Sequence, residues 1–203
     1  MVELEQQKPK VTPEPTDQEL VVLAKGDAEQ FGLIMQRYWN QLFGFVRRMS
    51  YFSQEDIEDI LQEVFLKTYR YLNDYDKHLA FSTWIYKITR NTMIDEIRKR
   101  QARPKDVWLE AEEWKNLFVD KLDLEENLKQ KLTVEEVKNV LERLPSDYKE
   151  VLILRFWEQR EYEEIMDIVQ KPKGTVASLI ARGRKRLRSE EHTSELQSRQ
   201  VIS

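Results

Sequence analysis

The chain has 203 residues, of which 40% are hydrophobic and 34% are charged, and only 5 are glycine. This length suits one large or two small domains, and the scarcity of glycine and of alternating β-branched runs argues against a sheet protein. The formal net charge of −4 does not indicate nucleic-acid binding, so any DNA contact requires a local basic patch.

Residues that bind metals or cofactors are scarce. There is no cysteine, which excludes disulfides and thiolate metal sites, and neither His78 nor His192 lies in a ligand-like cluster. We therefore expect no metal and no cofactor. No apolar run is long enough to span a bilayer, and no cleavable signal peptide is evident. These features predict a cytoplasmic, all-helical protein.

The N-terminal part begins with a proline-containing charged segment, residues 1–15, which we predict to be a disordered tail. Thr16 to Glu19 match a capping box, which predicts a short helix ending near Gly26, and Asp27 can cap the next. Apolar residues at steps of three and four predict an amphipathic helix from Phe31 to Met49.

Ser53 is predicted to cap a third helix that has an apolar and a polar face. The inward stripe consists of Ile57, Ile60, Leu61, Val64, Phe65 and Thr68. The outer side carries Asp59, Gln62, Glu63 and Lys67.

A fourth predicted helix runs from about Ser82 to about Gln101 and is apolar on two sides. One stripe holds Ile85, Ile88 and Thr92, and the other holds Tyr86, Met93 and Ile97. Such a helix is either buried on both sides or keeps one side for a ligand. It ends in a basic cluster, and Pro104 closes a first domain that we place at residues 16–103.

The remainder divides into three segments. Residues 104–132 are too polar for a core and are predicted to be a linker. Residues 133–188 form a second domain, in which Ser146 is the expected cap of one helix and residues from Tyr162 onward read as a helix-turn-helix. Residues 189–203 resemble the translation of a sequencing-adapter oligonucleotide, and we exclude them from fold reasoning as non-native. The predicted fold is all-α, with two small helical domains joined by a linker.

Four motifs occur in order. They are Glu58 to Lys67, Phe81 to Asn91 with Asp95 and Arg98, Leu144-Pro145, and Tyr162 to Ile165 with Gly174 to Val176 and Ser178. Together they resemble the sigma-70 family of bacterial RNA polymerase sigma factors, specifically the extracytoplasmic-function (ECF) subgroup. The resemblance covers Thr16 to Leu187 apart from the linker. It implies a sigma region 2 followed by a sigma region 4.

The first motif of the family docks on the clamp coiled coil of the largest subunit of core polymerase. The resemblance assigns this role to Asp59, Gln62 and Glu63. On the helix alone, a merely solvated acidic face is the commoner explanation. The family also implies promoter DNA as a partner and makes an anti-sigma factor plausible, without membrane insertion.

The second motif is similar to the segment that reads and opens the −10 element. Capture of an unpaired base needs a flat apolar surface, polar groups for the base edge and cations for phosphates. Tyr86 is expected to lie exposed, whereas core packing and base stacking are equally plausible for Trp84. The expected −10 residues are Trp84, Tyr86, Arg90, Asn91, Arg98 and Lys99.

The fourth motif is similar to the module that reads the −35 element in the major groove, where a recognition helix presents its first residues to base edges. Base contacts are expected from Thr175 and Ser178. Phosphate contacts are expected from Lys173, Arg182, Lys185 and Arg186. The chain departs from the family at Ala177 and Leu179, where basic residues are common, and at Gln170, where glycine is usual and a left-handed turn is easier.

Two other classes of function fit these residues less well. A stand-alone helix-turn-helix regulator leaves the acidic face and the Phe81 to Arg98 segment unexplained. A helical enzyme is disfavoured because no nucleophile pair, glycine-rich phosphate loop or paired carboxylates with a base can be identified. We therefore expect a non-enzymatic sigma factor that binds RNA polymerase core and directs promoter-specific initiation.

Overall fold

The computed structural model describes residues 14–101 and 144–200, with side chains at 14–100 and 144–187. These residues form helices and no strand. The N-terminal half (residues 14–101) contains α1 (Asp17–Gly26), α2 (Phe31–Met49), α3 (Gln54–Arg70) and α4 (Phe81–Gln101). Short 3₁₀ turns at Ala28–Gln30 and Leu72–Asp74 precede α2 and follow α3.

The helix starts follow the local sequence signals. Thr16 and Glu19 exchange both hydrogen bonds of a capping box at α1, and Ser53 does the same with Asp56 at α3. Asp27 accepts from the Glu29 backbone N–H and caps the 3₁₀ turn before α2. The caps predicted at Thr16 and Ser53 are confirmed, whereas α2 itself begins after Gln30, which makes no side-chain cap bond.

α2, α3 and α4 pack around a shared apolar core, and α1 lies against α2. The inward stripe predicted for α3 is confirmed, since all six of its residues are buried. Aromatic rings fill the centre: Phe45 lies 5.2 Å from Tyr86, and Trp39 stacks on Phe65 at 5.9 Å between ring centroids. Such pairs add to the energy of apolar burial.

The C-terminal half (residues 144–200) contains α5 (Ser146–Leu152), a π-helical turn (Ile153–Trp157), α6 (Tyr162–Val169) and α7 (Lys173–Gln200). The expectation that Ser146 caps a helix is wrong, because Pro145 is the N-cap residue and no side chain caps α5. α7 packs on α5 and α6, with Val176 and Ile180 buried. Gly183 permits the close approach of α7 to α5, since an added Cβ would lie 3.0 Å from Leu152.

The two halves are in direct contact. α6 packs against α4, and the buried apolar residues of both halves belong to one continuous cluster. The two stripes of α4 are thereby explained, because α3 covers one side and α6 covers another. Several predicted segments lie wholly or partly outside the described residues: residues 1–13 of the tail predicted at 1–15, residues 102–103 of the first domain, the linker at 104–132, the start of the second domain at 133–143, and residues 201–203.

Within the described residues, no helix combines the length and the apolar character needed to cross a membrane.

Candidate functional site

The polar face of α3 is open to solvent. Asp59, Gln62 and Glu63 are exposed, while Ile60 and Val64 on the opposite side are buried. Glu63 makes an ion pair with Lys67 at 3.3 Å, and Lys67 also donates to Thr92 of α4 at 3.2 Å. The three predicted docking residues therefore share one accessible face, continued by Leu66, which is 62% exposed.

Asp56 belongs to the start of the same helix but has a different role. Its carboxylate accepts from the Ser53 backbone N–H and forms a bidentate pair with Arg100 of α4. The hydrogen bonds from Arg100 lower the pKa of Asp56 to about 2, against the smaller opposing effect of burial. Asp56 thus fixes the end of α4 against α3.

Tyr86 does not lie exposed, so that expectation is wrong. Its side chain is fully buried, and its hydroxyl donates to Glu158 Oε2 at 2.6 Å. The Arg160 guanidinium lies 4.2 Å from the centre of its ring. Burial, together with the neighbouring Glu158 carboxylate, raises the pKa of Tyr86 above its ordinary value. Helical periodicity placed Tyr86 on a different stripe from Ile85 and Ile88, but it could not show that Glu158 and Arg160 cover the side chain.

Arg90 was expected to be a cation available to phosphates, and here it is engaged by the C-terminal half. Its Nε and Nη2 donate to the two oxygens of Glu150 at 2.5 and 3.0 Å. The Arg90 side chain is 14% exposed and that of Glu150 is 5% exposed. A bidentate pair of this geometry is the arrangement that a phosphate would also adopt with arginine.

The remaining −10 candidates differ in exposure. Trp84 is half-buried and packs against Tyr75 and Phe81, at centroid distances of 5.2 and 5.6 Å. Asn91 is exposed. Arg98 and Lys99 are also exposed and contact acidic residues of their own helix at 3.5 Å. Contacts this long between exposed charges leave both cations accessible.

The helix-turn-helix is formed by α6 and α7. Gln170 ends α6 in the left-handed region, with φ of 56° and ψ of 45°, which agrees with the strain expected where glycine is usual. Thr175, in the first turn of α7, is exposed, and Ser178 is half-buried one turn later. The N-terminal end of α7 therefore presents short polar side chains, as a recognition helix does.

Cations precede and follow this surface along α7. Arg182, Lys185 and Arg186 are exposed, and the Arg186 guanidinium lies 5.1 Å from the centre of the Tyr148 ring. Lys173 makes an ion pair with Glu163 at 2.8 Å, and this contact raises the pKa of Lys173. Both partners of that pair are 67% exposed, so a phosphate can compete with Glu163 for the ammonium group.

Sequence reasoning missed Arg48, Glu150 and Glu158. Glu158 accepts from Arg48 of α2 as well as from Tyr86, and its side chain is 6% exposed. Gly44 leaves room for Arg48, because an added Cβ would lie 2.9 Å from the guanidinium. No periodic signal marks a carboxylate that pairs with a residue 110 positions away.

Residues able to hold a metal are absent from the part of the chain with described side chains, where histidine and acidic residues form no group of three that could coordinate one ion.

Two family profiles match the chain. Sigma-70 region 2 matches residues 34–103, and Sigma-70, region 4 matches residues 135–187. The ECF RNA polymerase sigma-E factor of Haemophilus influenzae is 35% identical over 175 residues, which cover 83% of this chain and 92% of that protein. The RNA polymerase sigma-H factor of Pseudomonas aeruginosa is 34% identical over 174 residues, covering 83% and 90%.

Solved structures share the fold. CnrH in complex with the cytosolic domain of CnrY aligns with a TM-score of 0.61 and 21% identity, covering 85% of this chain and 95% of that one. The sigma factor RpoE of Bartonella quintana, in complex with the anti-sigma factor NepR, aligns with a TM-score of 0.59 and 21% identity, covering 80% and 96%.

Proposed function

Because the chain belongs to the ECF group of the sigma-70 family and is thus an RNA polymerase-binding factor for promoter-specific initiation, we propose how its surfaces divide that work. The α3 face formed by Asp59, Gln62 and Glu63 docks on core polymerase. α4 captures the −10 element, and the first turns of α7 read the −35 element.

The docking assignment is carried by one observation. The three side chains share an exposed face of α3, and the opposite face of this helix is buried in the core. Among the described residues they cap no helix and bridge no pair of helices, in contrast to Asp56. Polar side chains on a rigid helix suit binding to a partner helix, because little conformational entropy is lost on docking.

The DNA assignments follow from exposure and charge. Asn91, Arg98 and Lys99 form an accessible polar and cationic surface along the C-terminal part of α4, and Trp84 offers a partly exposed ring. In α7, Thr175 and Ser178 can reach base edges while Lys173, Arg182, Lys185 and Arg186 hold phosphates. Tyr86 and Arg90 can join the α4 surface only when the C-terminal half leaves it.

The cellular setting follows from the partner. A factor that works on RNA polymerase acts where transcription occurs, which supports a cytoplasmic, non-enzymatic role. Regulation by an anti-sigma factor is a further element of the proposal, supported by the RpoE–NepR complex of the same fold.

The experiment that tests the docking face is a triple substitution, Asp59→Ala/Gln62→Ala/Glu63→Ala, assayed for binding to purified core polymerase and for transcription in vitro. We expect loss of core binding with an unchanged circular-dichroism spectrum, since none of the three side chains is buried. The matched control is Glu29→Ala/Gln36→Ala/Asp74→Ala, which removes the same chemical groups from other exposed positions. Equal core binding by both variants would overturn the assignment.

A further inference from the structure

Charged and polar pairs accompany the apolar packing between the two halves. Glu158 holds Arg48 and Tyr86, and Glu150 holds Arg90. Thr83 donates to Glu164 at 3.1 Å, and Lys149 lies 5.3 Å from the centre of the Tyr51 ring. We call this set the closed interface.

The groups on the N-terminal side of the closed interface are those that nucleic acid binds. Arginine pairs with phosphate through the same two N–H groups that Arg90 gives to Glu150, and a tyrosine ring can stack on a base. Here carboxylates occupy both arginines, Arg48 and Arg90, and Arg160 covers the face of Tyr86. The C-terminal half thus gives one arginine of α2 and one of α4 a carboxylate in the place of a phosphate.

The closed interface is also of a kind that can separate. Buried ion pairs recover little more than the cost of removing both charges from water, so the charged pairs add little to the apolar packing that holds the two halves together. The turn that carries Glu158 and Arg160 contains Gln159 in the left-handed region, at φ of 52°, which is unfavourable for a residue with a side chain.

We propose that the closed interface is an autoinhibitory contact, in which Glu150 and Glu158 compete with promoter DNA for α4. Binding of single-stranded −10 DNA requires the C-terminal half to leave α4. The inference rests on the proposed role of α4 in capturing that DNA. Only open molecules bind, so the apparent DNA affinity is the affinity of the open form multiplied by the fraction of molecules that are open.

The test uses Glu150→Gln/Glu158→Gln in the full chain, because each change removes a charge and keeps the shape. The probe is a fluorescein-labelled single-stranded DNA of mixed sequence, and its anisotropy gives the affinity. We expect the variant to bind about tenfold more tightly than the unsubstituted chain. This is the gain that follows if about a tenth of the unsubstituted molecules are open and nearly all molecules of the variant are.

The control is Asp147→Asn/Asp167→Asn, which changes the net charge equally at two exposed positions of the same half. Asp147 pairs with Lys171 inside that half, so its loss leaves α4 covered. An equal gain in affinity for both variants would show a general charge effect and overturn the proposal. Circular dichroism confirms that each variant is folded.

A second measurement needs no change in the closed interface. The chain has no cysteine, so Asn40→Cys/Ser146→Cys places one exposed label on each half for energy transfer. Saturating single-stranded DNA should lower the transfer efficiency. Unchanged transfer with DNA bound would mean that the halves stay together and would sink the inference. The proposed roles of the sigma-factor surfaces are tested separately by the core-binding and transcription assays. The outcome of those assays does not depend on the energy-transfer measurement.

Discussion

The Tyr86 hydroxyl donates to the buried Glu158 carboxylate, and this hydrogen bond helps to hold the side chain in place. Tyr86→Phe keeps the ring packed on Phe45 and removes that donor, so Glu158 keeps only the Arg48 part of its pairing. We expect a loss of about 1–2 kcal/mol in the free energy of unfolding, measured in urea. Tyr71→Phe, at a position 49% exposed, is the control and should change it by less than about 0.5 kcal/mol.

Asp56 should make the free energy of unfolding depend on pH in the acid range. Its pKa in the folded chain is about 2, below the ordinary value of 3.8, so its contribution is complete above the ordinary value and is lost as pH falls toward 2. Because Arg100 is 42% exposed, solvent screens the pair and the contribution is about 1 kcal/mol.

Asp56→Asn should therefore lose less stability than the unsubstituted chain between about pH 5 and about pH 2. Chemical denaturation at a series of pH values measures the difference. Parallel curves for the two proteins would show that the ion pair with Arg100 does not stabilise the folded chain.

At the scale of single helices, the strained end of α6 gives a direct prediction. Gln170→Gly should raise the free energy of unfolding by about 0.5–1 kcal/mol, because glycine adopts positive φ without steric cost but has more backbone entropy to lose. Ala181→Gly, at an exposed helical position of α7, should instead lower it by about 1 kcal/mol. Thermal or urea denaturation distinguishes the two signs.

The basic side of α7 should contribute to the salt dependence of DNA binding. Each phosphate contact contributes about −0.9 to the slope of log affinity against log salt, so Arg182→Ala or Lys185→Ala should flatten that slope by about one. Lys25→Ala, in the last turn of α1, should leave it unchanged. A variant that alters promoter preference with the full slope retained would reassign that residue to base readout.

Element boundaries followed from sequence where local chemistry determines them. Three kinds of feature depend only on neighbours within a few residues: the capping boxes at Thr16 and Ser53, the apolar stripe of α3, and the left-handed end of α6. The burial of Tyr86 and Arg90 depends on partners 72 and 60 residues away. A pattern in one helix can show that a second face is apolar, as it did for α4, but cannot show what covers that face.

For the whole molecule, the predicted linker and the closed interface together predict the result of limited proteolysis. Cleavage should begin in residues 104–132, which lack a coherent apolar face. The two fragments should then separate on gel filtration, because a chain that is open in about a tenth of its molecules needs the linker to keep its halves together. The Glu150→Gln/Glu158→Gln variant should be cut at the same place. First cleavage within α3 or α5 would contradict the predicted domain boundary.

Glu158 has a kinetic consequence for the molecule, because one carboxylate holds both α2 and α4. The C-terminal half cannot leave one of these helices gradually without keeping a buried charge that has lost part of its pairing, which is costly. Partly separated arrangements are therefore sparsely populated, and release is all-or-none. Single molecules should switch between two discrete states. The dwell time in the closed state would then set how soon the chain can engage a promoter.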